Sequence, residues 1–294
     1  MAQRLDGRVI AITGASSGIG AATAVACAAA GMDVALAARR RDRLRDVAAQ
    51  VERHGRRALV VGCDVQRDQD VQRLIESTVG ELGTLDAVFA NAGYGIFAKI
   101  VDTSPAQSRD MFETNFWGTV RCIQAAVPVM RRQGSGHLLI CTSAVSEISP
   151  PMYGYYAATK AAQDAIAGAM RAELTDENIQ VSTVHPIGTE TEFFDVVRRR
   201  SPDGHTDLEL NTPAVLAHSA DRVARAVVRC LRRPRPEVWP SIGARYGLAF
   251  TTAAPRVSAW AMRNLLRRRF ARQASHEPVE PVRGTLSARP DTAD

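Results

Sequence analysis

The stretch "RVIAITGASSGIG", residues 8–20, decides the fold. Arg8 to Thr13 is a β-branched apolar run that ends at Gly14, and "AATAVACAAAG" (21–31) follows as a run of helix formers closed by a glycine. A strand that turns through glycines straight into a helix is the context a phosphate-binding loop requires. Glycines let the backbone approach a pyrophosphate, and the helix N-terminus supplies N–H donors and the positive end of its dipole. Gly14, Ser16, Ser17, Gly18, Ile19 and Gly20 are therefore candidate nucleotide contacts. The competing reading is a glycine-rich turn without a ligand.

The same alternation continues outward. "DVALAA" (33–38), "RALVVGC" (57–63), "LDAVFA" (85–90), "HLLICTS" (137–143) and "IQVSTVH" (179–185) read as strands. Residues 42–55, 68–83, a long stretch from Pro105 to Arg132, and 155–175 read as the helices between them. Strands that are apolar throughout, separated by helices, imply a parallel sheet covered on both faces. The expected architecture is a doubly wound α/β fold, a Rossmann fold, with a mainly parallel sheet of about seven strands. It spans residues 1–240, with "SADRVARAVVRCLRR" (219–233) as a helix capped by Ser219 or Asp221 and "EVWPS" (237–241) as a last short strand. After the sixth strand the pattern loosens, and the polar segment at about 189–213 is a candidate substrate lid at the carboxyl edge of the sheet. Residues 241–275 form a basic C-terminal extension, with a helical stretch, and 276–294 an acidic, Pro-rich tail expected to be disordered.

Composition narrows the class. The chain has 294 residues, 46% of them hydrophobic and 23% charged, as in ordinary globular proteins. The apolar run before Gly14 is too short for a signal-peptide core, and no run is long enough to span a bilayer, so a cytoplasmic protein is expected. Cys27, Cys63, Cys122, Cys141 and Cys230 form no CxxC pair and read as buried free thiols. The six histidines show no ligand spacing, so no metal is expected. The net charge of +6 comes from the C-terminal fifth: Arg222 to Arg272 holds 13 arginines and one acid, Glu237.

The second strand ends at Ala38, where a carboxylate would favour NAD by binding the ribose hydroxyls. Arg39, Arg40 and Arg41 follow instead, and guanidinium groups pair well with a 2′-phosphate. NADP(H) is therefore expected over NAD(H), with Arg39 the chief contact, Arg40 second, and Ser16 and Ser17 adding hydroxyls. A solvated helix start in an arginine-rich chain is the alternative. Asp64, closing the third strand, can accept from an adenine amino group, with the Val65 N–H beside it; "ANAG" (90–93) closes the fourth.

Of the 37 lysines and arginines only Lys99 and Lys160 are lysine. Lys160 lies four residues after Tyr156 in "MYGYYAATK" (152–160), so on a helix the two share a face. Tyr153 and Tyr155 have no such partner. A compact ammonium favours a phenolate and brings a phenol toward working pH. Ser143, at the end of the fifth strand, can polarise a carbonyl in the same cleft. Asn115 is a poor residue for the middle of a helix; a distortion there would free a backbone carbonyl to hold a water against Lys160.

In order and spacing, TGxxxGIG (13–20), Asp64, Asn91-Ala92-Gly93, Asn115, Ser143 and YxxxK (156–160) resemble the short-chain dehydrogenase/reductase superfamily in its form of about 250 residues. The resemblance covers roughly residues 5–240. It implies hydride transfer between a nicotinamide and a carbonyl or carbinol carbon. Tyr156 would be the general acid/base, Lys160 would lower its pKa and hold ribose, Ser143 would orient the carbonyl, and Asn115 would support a proton relay. It also implies nucleotide contacts from Asn91, Ala92, Gly93, Pro186, Ile187, Gly188, Thr189 and Thr191, although the family's Pro-Gly is here Pro186-Ile187-Gly188. A homodimer or homotetramer is the family expectation. The alternative function is a non-catalytic dinucleotide binder or redox sensor on the same fold, which would tolerate loss of Ser143, Tyr156 or Lys160.

The extension contains "RVSAWAMRNLLRRRFAR" (256–272), in which Ala259, Met262, Leu266 and Phe270 form one helical stripe. Packing of that stripe on the catalytic domain or on a second subunit is favoured over peripheral contact with an anionic membrane. Nucleic acid is not expected, since no stacking aromatics interleave the arginines.

Overall fold

The computed structural model describes residues 2–148, 150–190, 192–201, 218–253 and Asn264. The chain divides into a unit Met1–Thr252 and a unit Ala253–Asp294. Of the second unit only Ala253 and Asn264 are described, so the expected helix over 256–272 and the tail after 276 lie otherwise outside the described residues.

β1 (Val9–Thr13) is buried along its whole length. Its side chains alternate between two cores. Ile10 and Ile12 pack with Cys27 of α1 (Gly18–Ala29), Leu44 of α2 (Arg41–Glu52) and Val227 of α8 (Ala220–Arg232). Val9 and Ala11 pack on the other face with Leu74 of α3 (Asp68–Leu82), Met130 of α5 (Gly118–Gln133) and Ala167 of α6 (Gly154–Glu173). A strand buried on both faces has no use for alternation with polar residues, which is why these strands read as continuous apolar runs.

The remaining strands are β2 (Asp33–Ala38), β3 (Ala58–Gly62), β4 (Ala87–Ala90), β5 (Gly136–Cys141), β6 (Ile179–Val184) and β9 (Glu237–Val238). With β1 they form one seven-stranded sheet in the order β3-β2-β1-β4-β5-β6-β9, and every pairing is parallel. The order reverses between β1 and β4, the crevice where ligands bind in doubly wound sheets.

Two departures from the sequence expectation concern the cleft. The helix expected from Pro105 to Arg132 is α4 (Pro105–Phe112), one π-helical turn over Glu113–Trp117, and then α5. The loosened segment after β6 carries a short parallel pair, β7 (Thr189–Glu190) with β8 (His218–Ser219), and an eight-residue helix, α7 (Phe193–Arg200). The last described helix is α9 (Ile242–Ala253). All five cysteines are buried and free, and burial pushes the Cys27 and Cys122 thiols up to about 12. Among the described residues no helix is long and apolar enough to cross a membrane.

Candidate active site

The glycine loop sits at the β1 end of the crevice. Ser17 is the N-cap of α1 but makes no side-chain cap, and the first helical turn holds no acid. The leading amides are thus left for an anion, as a bound pyrophosphate requires. Gly14 has φ 66° and Gly18 φ 55°, conformations that glycine adopts without strain. Gly20 is needed for space: a Cβ there would come within 2.3 Å of the Gly14 carbonyl oxygen. Ile19, in the first turn of α1, packs on the core.

Asn91 holds this loop to β4. Its Nδ2 donates to the Thr13 carbonyl at 3.0 Å, while its own N–H and that of Ala92 donate to the Thr13 hydroxyl. The side chain is thus occupied as scaffold, and Ala92 approaches Gly14 more closely than a Cβ would permit: one there would lie 2.9 Å from the Ala92 Cα. At Gly93 a Cβ would meet Asn115 Oδ1 at 3.0 Å and Lys160 Nζ at 3.5 Å, so this glycine lets the β4 loop pass the buried polar cluster. Asp64 is half-buried at the end of β3, where one carboxylate oxygen accepts from the Gln66 N–H. Val65 packs against Gly118.

The four residues singled out for chemistry converge from three places: Tyr156 and Lys160 from α6, Asn115 from the π turn and Ser143 from the end of β5. Tyr156, Lys160 and Asn115 are 9%, 3% and 0% exposed, and Ser143 is 8%. Burial pushes the Tyr156 phenol up, and the hydrogen bond from Ser143 opposes it. Lys160 Nζ donates to the Cys141 carbonyl at 2.7 Å and lies 5.7 Å from the Tyr156 ring centre. Burial pulls the Lys160 ammonium down. The Ser143 hydroxyl faces the Pro186 carbonyl at 3.5 Å, and the Ala144 N–H binds the same oxygen at 3.0 Å. These contacts place the loop of Pro186, Ile187, Gly188 and buried Thr189 beside Ser143. Thr191 lies outside the described residues.

Asn115 needs a correction. The distortion expected there is present as the π turn. Its carbonyl, however, already accepts from Gln163 Nε2 at 2.7 Å and from the Thr119 hydroxyl at 2.8 Å. A carbonyl has two lone pairs, so both acceptor positions are filled by protein rather than left for a water. The side chain donates to the Tyr94 carbonyl and to Thr159 Oγ1 and accepts from the Tyr94 N–H. Asn115 therefore fixes the β4 loop against α6.

The three arginines after β2 are placed differently. Arg39 is exposed and makes no ion pair among the described residues. Arg40 donates to Ser16 Oγ at 3.1 Å and Ser17 Oγ at 3.0 Å. Arg41 begins α2 and lies over Gly62, so of the three only Arg40 turns to the glycine loop.

An apolar cluster packs against Tyr156. Phe97, Met111, Met152, Tyr153 and Val197 form one buried cluster with it. Phe193, opening α7, has its ring centre 5.4 Å from that of Tyr156, and Tyr153 stands edge-on to Phe97 at 5.1 Å. The far end of α7 is tied by Arg200, which binds Asp110 at 2.9 Å and lies over the Tyr94 ring at 4.0 Å.

Sequence spacing missed one cluster. Glu147, Asp164 and His185 bring their ligand atoms within 4.8 Å of one another, one turn of α6 beyond Lys160. His185 Nε2 is 3.6 Å from Asp164 Oδ1, and its ring stacks on Trp239 at 4.3 Å. Burial pushes Asp164 up to about 6 and His185 down to about 4. No local motif announces this group, because its members come from three elements that meet only in the fold.

Comparison with known proteins agrees with this geometry. Residues 8–201 match the short chain dehydrogenase family. An uncharacterized oxidoreductase of Listeria innocua is 30% identical over 233 residues, covering 78% of this chain and 92% of that protein. The 11-beta-hydroxysteroid dehydrogenase 1A of Arabidopsis thaliana is 35% identical over 195 residues, covering 65% of this chain. The chain spans 55% of that relative's length, and only 18% of another's. The solved alcohol dehydrogenase of Thermococcus sibiricus, complexed with 5-hydroxy-NADP, superimposes with a TM-score of 0.67 at 29% identity, over 79% of this chain and 95% of that one. With a family match over most of the sheet and the glycine loop, Tyr156 and Lys160 gathered at one crevice, the chain is an oxidoreductase that belongs to the short-chain dehydrogenase/reductase family.

Proposed function

We propose that this protein interconverts a ketone or aldehyde and an alcohol, using NADP(H) in preference to NAD(H). The observation that carries the reading is the pairing of one buried phenol, Tyr156, with a serine hydroxyl and a buried ammonium beside an apolar cluster. Bound nicotinamide would supply or take the hydride at its C4. The chain's own groups handle the proton and the geometry. Tyr156 gives its phenolic proton to the carbonyl oxygen in reduction and takes it back in oxidation. Ser143 donates to the same oxygen and steadies the developing alkoxide. Lys160 holds a ribose hydroxyl and, once turned from the Cys141 carbonyl, brings positive charge to the phenol. That charge offsets the burial which holds the free phenol protonated.

The donor set at the end of β2 fits a 2′-phosphate: Arg40 and the Ser16 and Ser17 hydroxyls already converge, and the strand itself ends at Ala38 rather than at a carboxylate. The aromatic and methionine lining around Tyr156 favours an apolar, bulky carbonyl compound. Oxidation of NADPH and of NADH across ketones, aldehydes, steroids and acyl thioesters tests the proposal. The expected result is turnover of an apolar ketone with the higher kcat/KM for NADPH; higher kcat/KM with NADH overturns the cofactor assignment. NADPH binding with no turnover on any of them would favour a non-catalytic binder.

A further inference from the structure

Glu192, the N-cap of α7, reaches two arginines beside the glycine loop that lie 152 and 149 residues away in sequence. Its two carboxylate oxygens are divided between two arginines: Oε2 accepts from Arg40 at 3.0 Å, and Oε1 pairs with Arg43. Arg40 at the same time donates to Ser16 and Ser17. One carboxylate thus fills the guanidinium pair that opens α2, the position from which a 2′-phosphate would be recognised. Partial burial raises the Glu192 carboxyl, but the Arg43 and Arg40 contacts outweigh it and hold the group below the usual glutamate range. It is therefore an anion at neutral pH.

Resting on the NADP(H) reading above, we infer that Glu192 is a specificity-determining residue whose carboxylate stands in for the 2′-phosphate and competes with it for Arg40 and Arg43. Two anions cannot share one guanidinium pair without repulsion, so a 2′-phosphate displaces Glu192, whereas a cofactor with a free 2′-hydroxyl leaves it in place. Displacement also acts on the roof of the cleft. Phe193 follows Glu192 directly and packs on Tyr156, so release of the carboxylate frees the residue that covers the catalytic phenol. The carboxylate thereby lowers intrinsic affinity for the phosphorylated cofactor and makes release of α7 depend on the phosphate.

The test is calorimetric titration of the full chain with 2′,5′-ADP and with 5′-ADP. Glu192→Gln should bind 2′,5′-ADP roughly three- to tenfold more tightly than wild type, the range set by one or two partly exposed ion pairs. Its affinity for 5′-ADP should stay within about twofold. Asp42→Asn removes a nearby exposed acid that among the described residues pairs with Arg45 alone, and should reproduce none of the gain. An unchanged or weaker 2′,5′-ADP affinity in Glu192→Gln, an equal gain for both ligands, or the same gain in Asp42→Asn overturns the inference. The cofactor reading fails separately, if wild type prefers NADH in kcat/KM. A selective gain of 2′,5′-ADP binding in Glu192→Gln would still uphold the role of Glu192 in that case.

Discussion

The floor of the cleft and the segment that crosses it are held by different chemistry. On the floor, Asn115, Thr159 and Lys160 are 0–3% exposed and spend their polar atoms on backbone carbonyls and on each other. Across the top, α7 is fastened by charged pairs at the surface: Glu192 to Arg40 and Arg43 at one end, Arg200 to Asp110 at the other. Buried neutral hydrogen bonds are costly to break and insensitive to salt. Exposed ion pairs contribute about 0–1 kcal/mol each and weaken as salt rises. One cleft thus has a rigid base and a roof that ionic conditions or a competing anion can loosen.

This contrast can be broken most severely at the glycines of the floor. Gly20→Ala places a methyl 2.3 Å from the Gly14 carbonyl, so the loop must shift. Nucleotide affinity should fall at least about tenfold and stability by roughly 1–3 kcal/mol. Gly80→Ala, on the exposed face of α3 with nothing within 4 Å, should instead gain about 0.5–1 kcal/mol. Titration with NADPH and denaturant melts of both variants check the pair.

The roof should respond less. Arg200→Ala removes the Asp110 pair and the Tyr94 ring contact. Amide exchange of α7 should accelerate roughly three- to tenfold, with global stability lost by under about 1 kcal/mol. In wild type, raising NaCl should speed exchange in α7 and leave α6 unchanged. Equal acceleration in both helices would contradict the division.

The smallest effect concerns Asp164 and His185. Folding raises the Asp164 pKa from 3.8 to about 6, so the folded state binds the extra proton and stability falls as pH rises between those values. His185 is lowered from 6.5 to about 4, so its contribution is lost as pH falls through that window. The two slopes oppose each other. Asp164→Asn removes the acid's share, and the variant should gain stability over wild type at pH 7 and nothing at pH 3.5. Denaturant titrations at the two pH values read this directly.

What the sequence shows of this molecule follows from how local each determinant is. β2 was legible to the residue at Asp33–Ala38, because a run apolar from Val34 onward between glycine-closed helices leaves no alternative period. The poor helix former Asn115 correctly marked the distortion between α4 and α5. Its consequence was not legible, since the donors that fill its carbonyl, Gln163 and Thr119, depend on how α6 packs. In sequence Arg39 read as the chief phosphate contact and Arg40 as the second. They part because Arg40 is the N-cap of α2, where the backbone turns it toward the serines. α7 was hidden because the partners that tie down its ends, Asp110 and Arg43, lie on other elements.

The central claim is that Tyr156, and neither neighbouring tyrosine, transfers the proton. Tyr156→Phe and Tyr155→Phe, each compared with wild type for NADPH binding and for single-turnover reduction of an accepted ketone, test it most directly. Tyr156→Phe should bind NADPH within about threefold of wild type and lose roughly 10²–10⁴-fold in rate, while Tyr155→Phe keeps most of its rate. A Tyr156→Phe protein that reduces the ketone at near-wild-type rate would contradict the account.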